Sequence, residues 1–109
     1  MAYSESLAAR VRHVLSGRRG VVEKKLFGGV GFMLRGNLLV AVWQQSLIVR
    51  LGVERATAAL REPNVGEFDV TGKPMKGWIL VDPEGLDEDE ELRRWTDEAW
   101  NFVAQLPAK

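Results

Sequence analysis

Residues 21–51 read VVEKKLFGGVGFMLRGNLLVAVWQQSLIVRL, and the spacing of the turn-forming residues within them decides the fold. Gly28 and Gly29 interrupt the first apolar run, Gly36 and Asn37 the second, and Gln44, Gln45 and Ser46 the third. The segments between them, 21–26, 30–35, 38–43 and 47–51, are rich in Val, Leu, Ile, Phe and Trp and read as strands. Connections this short cannot carry a crossover, so successive strands must be antiparallel, with Gly36-Asn37 as a two-residue hairpin turn. The segment is a meander.

On the N-terminal side, Ser4 offers a capping hydroxyl and Glu5 an acid at the start of a helix. Leu7, Val11, Val14 and Leu15 then share one face, and Gly17 and Gly20 end it. On the C-terminal side, Gly52 opens a short helix over 53–60, closed by Pro63. Residues 67–71 form a weak strand, 72–77 a Gly/Pro-punctuated loop, and 78–81 a short apolar strand. Asp87 is expected to cap a final helix that starts with five consecutive acids and buries Leu92, Trp95, Ala99, Phe102, Val103 and Leu106. The order α-β-β-β-β-α-β-β-α describes an α+β fold: an antiparallel meander sheet of about six strands flanked by three helices, one domain over residues 1–109.

Composition narrows the function. The chain of 109 residues has 46% apolar and 28% charged residues, enough for one core and too short for two. With no cysteine, thiolate catalysis, disulfides and cysteine-ligated metals are excluded. No apolar run approaches a membrane span and residues 1–12 lack a signal-peptide core, so a cytoplasmic location and no membrane partner are expected. Net charge is zero, which argues against a dedicated nucleic-acid binder. Yet residues 1–52 carry eight Lys/Arg against two Asp/Glu, and residues 53–109 seven against thirteen. Intermixing of the two signs on the folded surface is the simplest reading.

The sheet itself hints at a partner. In strand 38–43, Leu38, Val40 and Val42 should point one way, and Leu39, Ala41 and Trp43 the other, with Met33 and Ile48 joining the second set. A sheet with one wet face should alternate apolar with polar, and this one does so poorly. Either helices cover both faces or a second molecule covers one. Met33, Leu39, Trp43, Ile48 and the helix-flanking Trp100 are the candidate face of a homodimer.

The stretch Lys24-Lys25-Leu26-Phe27-Gly28-Gly29-Val30-Gly31-Phe32-Met33, with Gln44-Gln45 and Leu47-Ile48-Val49-Arg50 after it, resembles the N-terminal domain of the TfoX/Sxy family. Gly72-Lys73-Pro74-Met75-Lys76-Gly77-Trp78 and the acidic closing helix are similar to it as well. The resemblance covers residues 7–106 and implies an antiparallel sheet flanked by helices, and an association with regulation of bacterial competence genes. Well-known members add a C-terminal domain resembling a helix-hairpin-helix module; a stand-alone N-terminal domain is expected here.

Gly28-Gly29-Val30-Gly31 precedes a strand, whereas phosphate and S-adenosylmethionine loops aim a helix N-terminus at the ligand, so these glycines read as a turn beside a packed neighbour. His13 is the single histidine, set on the polar face of the first helix without a partner serine or further ligands. The acids 87–91 lack the glycine turn and alternating ligands of a calcium loop, and the helix dipole accounts for them. Arg50 interrupts an apolar strand, so it must reach solvent, pair with a carboxylate such as Asp69 or Asp82, or hold an anion. Lys25, Phe27, Gly28, Gly29, Arg50, Lys76 and Trp78 are therefore the candidate ligand or partner site, with no catalytic residue, metal or cofactor expected.

The function expected is a non-enzymatic interaction or regulatory domain working through protein contacts, with an unidentified protein partner besides its own copy. The alternatives are nucleic-acid association through Lys24, Lys25 and Arg35, and an enzyme or binder of a small anion at Arg50 and Lys76.

Overall fold

The computed structural model describes residues 3–26, 28–69, 72, 73 and 75–109. Helix α1 (Glu5–Val14) is followed by strands β1 (Val21–Leu26), β2 (Gly29–Leu34), β3 (Asn37–Trp43) and β4 (Ser46–Arg50). Helix α2 (Val53–Ala59), strands β5 (Val65–Glu67) and β6 (Trp78–Val81), a 3-10 turn (Pro83–Leu86) and helix α3 (Asp89–Val103) complete the chain. The six strands form one antiparallel sheet in the order β1-β2-β3-β4-β6-β5, so the element order and meander agree with the sequence reading.

Local chemistry sets the boundaries. The Ser4 hydroxyl accepts the Leu7 amide at 3.1 Å and starts α1, whose Leu7, Ala8 and Val11 are buried. The hairpin between β2 and β3 turns on Arg35 and Gly36, not on Gly36 and Asn37. Both turn residues have positive φ, +51° and +84°. Two consecutive left-handed residues make the turn whose twist suits a tight hairpin. Asn37 is instead buried in β3, where its side-chain amide donates to the Pro107 carbonyl at 3.0 Å. Asp87 is not the cap of α3: it closes the 3-10 turn, and Glu88 precedes the helix without a side-chain cap. The fifth strand lies earlier than expected, at Val65–Glu67, and of the expected 67–71 segment Val70 and Thr71 lie outside the described residues.

The three helices all pack on one face of the sheet. Leu7, Val11 and Leu15 of the α1 segment, Ala56 and Ala59 of α2, and Leu92, Trp95, Ala99 and Val103 of α3 join Val30, Phe32, Val40, Val42, Leu47, Val49, Ile79 and Val81 in one core. A second, smaller cluster occupies the opposite face: Leu38, Ala41, Ile48 and Phe68, flanked by Leu26, Met33, Trp43, Met75, Trp78 and Leu80. No helical residue belongs to it among the described residues. The face assignment within β3 also differs from strict alternation. Phe32 pairs with Val40 while Met33 pairs with Leu38, so Leu39 is an extra residue in the ladder. That bulge turns Leu39 into the helix-side core beside Val40 and sends Leu38 to the opposite face.

Candidate functional site

The side chains of the second sheet face come from alternate positions of five elements. Leu26 ends β1, Met33 stands on β2, Leu38, Ala41 and Trp43 on β3, Ile48 on β4, and Trp78 and Leu80 on β6. Phe68 and Met75, from the segment between β5 and β6, lie over part of this surface. Phe68 is fully buried and sets its ring 6.1 Å from that of Trp78, tilted by 47°. The Met75 amide donates to the Phe68 carbonyl at 2.9 Å and closes that segment back on itself. Ile48 and Ala41 are thereby buried, whereas Leu26, Met33, Trp43, Trp78 and Leu80 stay partly exposed. The result is an apolar face with a finished centre and an unfinished margin.

Of the sequence-derived dimer set, Met33, Trp43 and Ile48 share this face, Ile48 as its floor. Leu39 does not, for the bulge places it in the helix-side core. Trp100 also lies on the helix side, with the Arg18 guanidinium 4.5 Å above its ring. Phe68, Leu80 and Met75 escaped the sequence reading. The alternation of Trp78 and Leu80 against Ile79 and Val81 carried the signal for β6, but nothing local marks Phe68 as a cover.

The candidate ligand residues divide into two places. Lys25, Gly28 and Gly29, with Tyr3 and Leu26, line a concavity of about 360 Å³ at the β1–β2 turn. Phe27 lies outside the described residues. Lys76, Gly77 and Trp78, with Val53, Ala56, Thr57, Leu60, Glu67 and Met75, line another of about 330 Å³ between α2 and the start of β6. Arg50 pairs in register with Trp78 across β4 and β6. Lys25 and Arg50 are separated by three strand spacings, about 14 Å, and lie toward opposite ends of the sheet, so the two groups do not converge.

Arg50 solves its solvation problem by stacking. Its guanidinium lies 5.1 Å from the Trp78 ring centre and 5.8 Å from that of Phe102, and it forms no ion pair among the described residues. Two rings within 6 Å leave the charge attracted to π faces without burying it alone. Gly29 is explained by packing: a Cβ there would run into the Val42 carbonyl oxygen of the neighbouring strand. Gly28 has a φ of +75°, a conformation that favours glycine. Arg35 is committed as well. Its guanidinium donates to the Ala104 carbonyl at 2.6 Å, at the C-terminal end of α3, where a cation complements the helix dipole.

The chain matches the family model for the TfoX N-terminal domain over residues 13–103. It belongs to that family. No curated protein and no solved structure matched in the corresponding searches. The match spans both faces of the sheet and α3, so Gly28 and Gly29, the Arg50 strand, Phe68 and Met75 all fall inside the TfoX N-terminal domain.

Charged side chains cluster elsewhere on this TfoX N-terminal domain, in roles legible only in three dimensions. Arg55 of α2 donates to Glu98 of α3 and, at 3.0 Å, to Glu62; Arg94 reaches Glu62 and Glu91, each at 2.9 Å, and Glu98 at 3.2 Å. The Arg94 guanidinium also lies 4.1 Å above the Trp95 ring. Hydrogen bonds donated to Glu98 and then to Glu62 hold Arg55 well above the ordinary guanidinium range. Partial burial opposes ionisation of Glu62, but hydrogen bonds from Arg55 and Arg94 outweigh it and hold its carboxyl below the ordinary value. This network clamps α2 to α3. Elsewhere, the hydrogen bond from Arg12 lowers the Glu23 carboxyl and ties α1 to β1. His13 is exposed, and no group of three or more metal-binding side chains occurs among the described residues. None of the described helices is long and apolar enough to cross a membrane.

Proposed function

We propose that this TfoX N-terminal domain is a non-catalytic interaction module that pairs with a second copy of itself through the sheet face opposite the helices. One observation carries the reading: Leu26, Met33, Trp43, Trp78 and Leu80 form an apolar margin around the small cluster that, among the described residues, has no helix over it and only Phe68 and Met75 as cover. Large aromatic and thioether side chains held partly dry on a rigid sheet are the groups that anchor protein interfaces. A two-fold pairing of this face would seat one copy's Trp43 and Met33 against the other's and complete the small cluster. The regulatory association of the TfoX family is then served by assembling proteins, not by reacting with a substrate.

The nucleic-acid reading has weaker support. Of the three cations that would carry it, Arg35 is already engaged at the end of α3, leaving Lys24 and Lys25.

Light scattering over a dilution series tests the proposal. The parent chain is expected to shift from dimer to monomer on dilution, and Trp43→Glu to be monomeric throughout with an unchanged circular dichroism spectrum. A parent that stays monomeric at the highest concentration reached would sink the homodimer.

A further inference from the structure

The sheet has a second unfinished feature, independent of its apolar face. Strand β1 is an outer strand, hydrogen-bonded to β2 along Val21–Leu26 and to no other strand among the described residues. The opposite edge, β5, is three residues long, whereas β1 offers six. An edge of that length presents a row of backbone donors and acceptors that another extended chain can pair with.

Three observations bear on what would pair there. Val22 is the most exposed large apolar side chain described, at 63%. Beside the edge, on the helix side, a groove of about 270 Å³ runs between the end of α1 and β1, lined by Leu15, Val21 and Phe32, with Arg12, Arg18 and Glu23 at its margin. Arg12 and Arg18 are neutralised by Glu23 and Asp97. Arg19, Lys24 and Lys25, in contrast, are exposed and form no ion pair among the described residues. The edge therefore carries uncompensated positive charge at Lys24 and Lys25 near its end and at Arg19 just before its start.

From this we infer that β1 is a docking edge for an extended acidic segment of another protein, which adds to the sheet as a seventh strand. Alternate side chains of such a segment fall on opposite faces of the sheet. Apolar residues on the helix side enter the groove over Leu15, Val21 and Phe32, while carboxylates on the opposite face meet Lys24, and Lys25 and Arg19 add positive charge toward the two ends of the edge. A second copy of β1 is a poor occupant. In the antiparallel pairings that keep both sheet faces continuous, the two fullest registers centre on Glu23 against Glu23 or Lys24 against Lys24. Like charges directly opposed destabilise such pairs, and where the Lys24 register sets Glu23 against Lys25, Glu23 is already engaged by Arg12. The lysines that bar self-pairing are the ones that select an acidic strand.

The test uses a labelled ten-residue peptide alternating glutamate and valine, with two controls: lysine in place of every glutamate, and proline in place of alternate valines. Fluorescence anisotropy is expected to show binding of the acidic peptide alone, weakening as salt is raised and falling at least tenfold with Lys24→Glu/Lys25→Glu. Amide hydrogen exchange on the parent protein supplies a readout that charge attraction alone does not move. Alternate amides of β1, the ones facing away from β2, should become protected when the acidic peptide binds. Binding that leaves those amides unprotected, or a proline control that binds equally well, overturns the inference. So does an oligonucleotide that binds the same residues more tightly than the peptide, which would make the edge a polyanion surface. Failure to bind any probe overturns it too, while leaving the homodimer measurement untouched.

Discussion

Replacing Gly29 with alanine should destabilise the protein by a route that separates packing from ligand binding at the motif most characteristic of the family resemblance. The added Cβ would overlap the Val42 carbonyl oxygen and stand 3.0 Å from the Val42 carbonyl carbon and 3.4 Å from the Trp43 Cα. All three atoms are backbone, so no rotamer change relieves the contact. Strand β2 must move off β3 at its first residue. Overpacking of this kind costs about 1–3 kcal/mol, and each ladder hydrogen bond lost in the retreat adds about 1 kcal/mol. A loss of about 3 kcal/mol lowers the melting temperature of a domain this size by about 12 °C. Gly66 is the internal control: it lies in β5, nothing stands within 4 Å of its would-be Cβ, and its φ is not in the left-handed region. Gly66→Ala should therefore stabilise by about 0.4–1 kcal/mol through the unfolded chain. Thermal and urea melts of the two variants against the parent decide the matter. A Gly29→Ala protein that melts within about 2 °C of the parent would refute the steric reasoning and return the Gly-Gly turn to the list of ligand-binding candidates.

Other outcomes follow from the same geometry. Phe68→Ala removes a fully buried ring from the cover of the second face; a loss of about 3–5 kcal/mol and increased binding of a hydrophobic dye are expected, whereas Val22→Ala at the exposed edge should stay within about 0.5 kcal/mol of the parent. Arg35 has a φ of +51° and caps α3, so Arg35→Ala keeps the strain and loses the cap; Arg35→Gly relieves about 1 kcal/mol of that strain and should melt above the alanine variant. The Glu62 carboxyl is held below its ordinary value of 4.5 by two arginines. A depressed carboxyl stabilises the fold above its unfolded value, and that stabilisation is lost as pH falls through the folded value. Melting temperature should accordingly fall below about pH 4.5, and Glu62→Gln should flatten that acid limb while lowering stability at neutral pH.

Where the sequence was sufficient, a short-range rule governed the outcome. The meander follows from four apolar runs and turns of two or three residues, and β1 and β6 lie where they were expected. Gly36-Asn37 suits a turn by its residue types, but the buried site opposite Pro107 claims Asn37, so the turn shifts to Arg35-Gly36. The Leu39 bulge was illegible for a similar reason: alternation is a local pattern, whereas the extra residue is fixed by how β2 and β3 pair. The candidate site is the least legible part of the sequence. Lys25 and Arg50 belong to strands whose separation depends on sheet order, which residue spacing does not reveal. The cover by Phe68 and the arginine clamp on α2 depend on contacts between segments distant in the chain. Arg55 and Glu98, for example, stand 43 residues apart.

That clamp has a consequence for how the molecule opens. Helix α2 spans seven residues, Val53–Ala59, too few to persist as an isolated helix in water. Its structure is sustained by Ala56 and Ala59 in the core and by guanidinium–carboxylate contacts to α3. Thermal fluctuations should therefore loosen α2 whenever α3 lifts, and amide exchange in the two helices should show a common opening free energy. Raising ionic strength would lower it for both together.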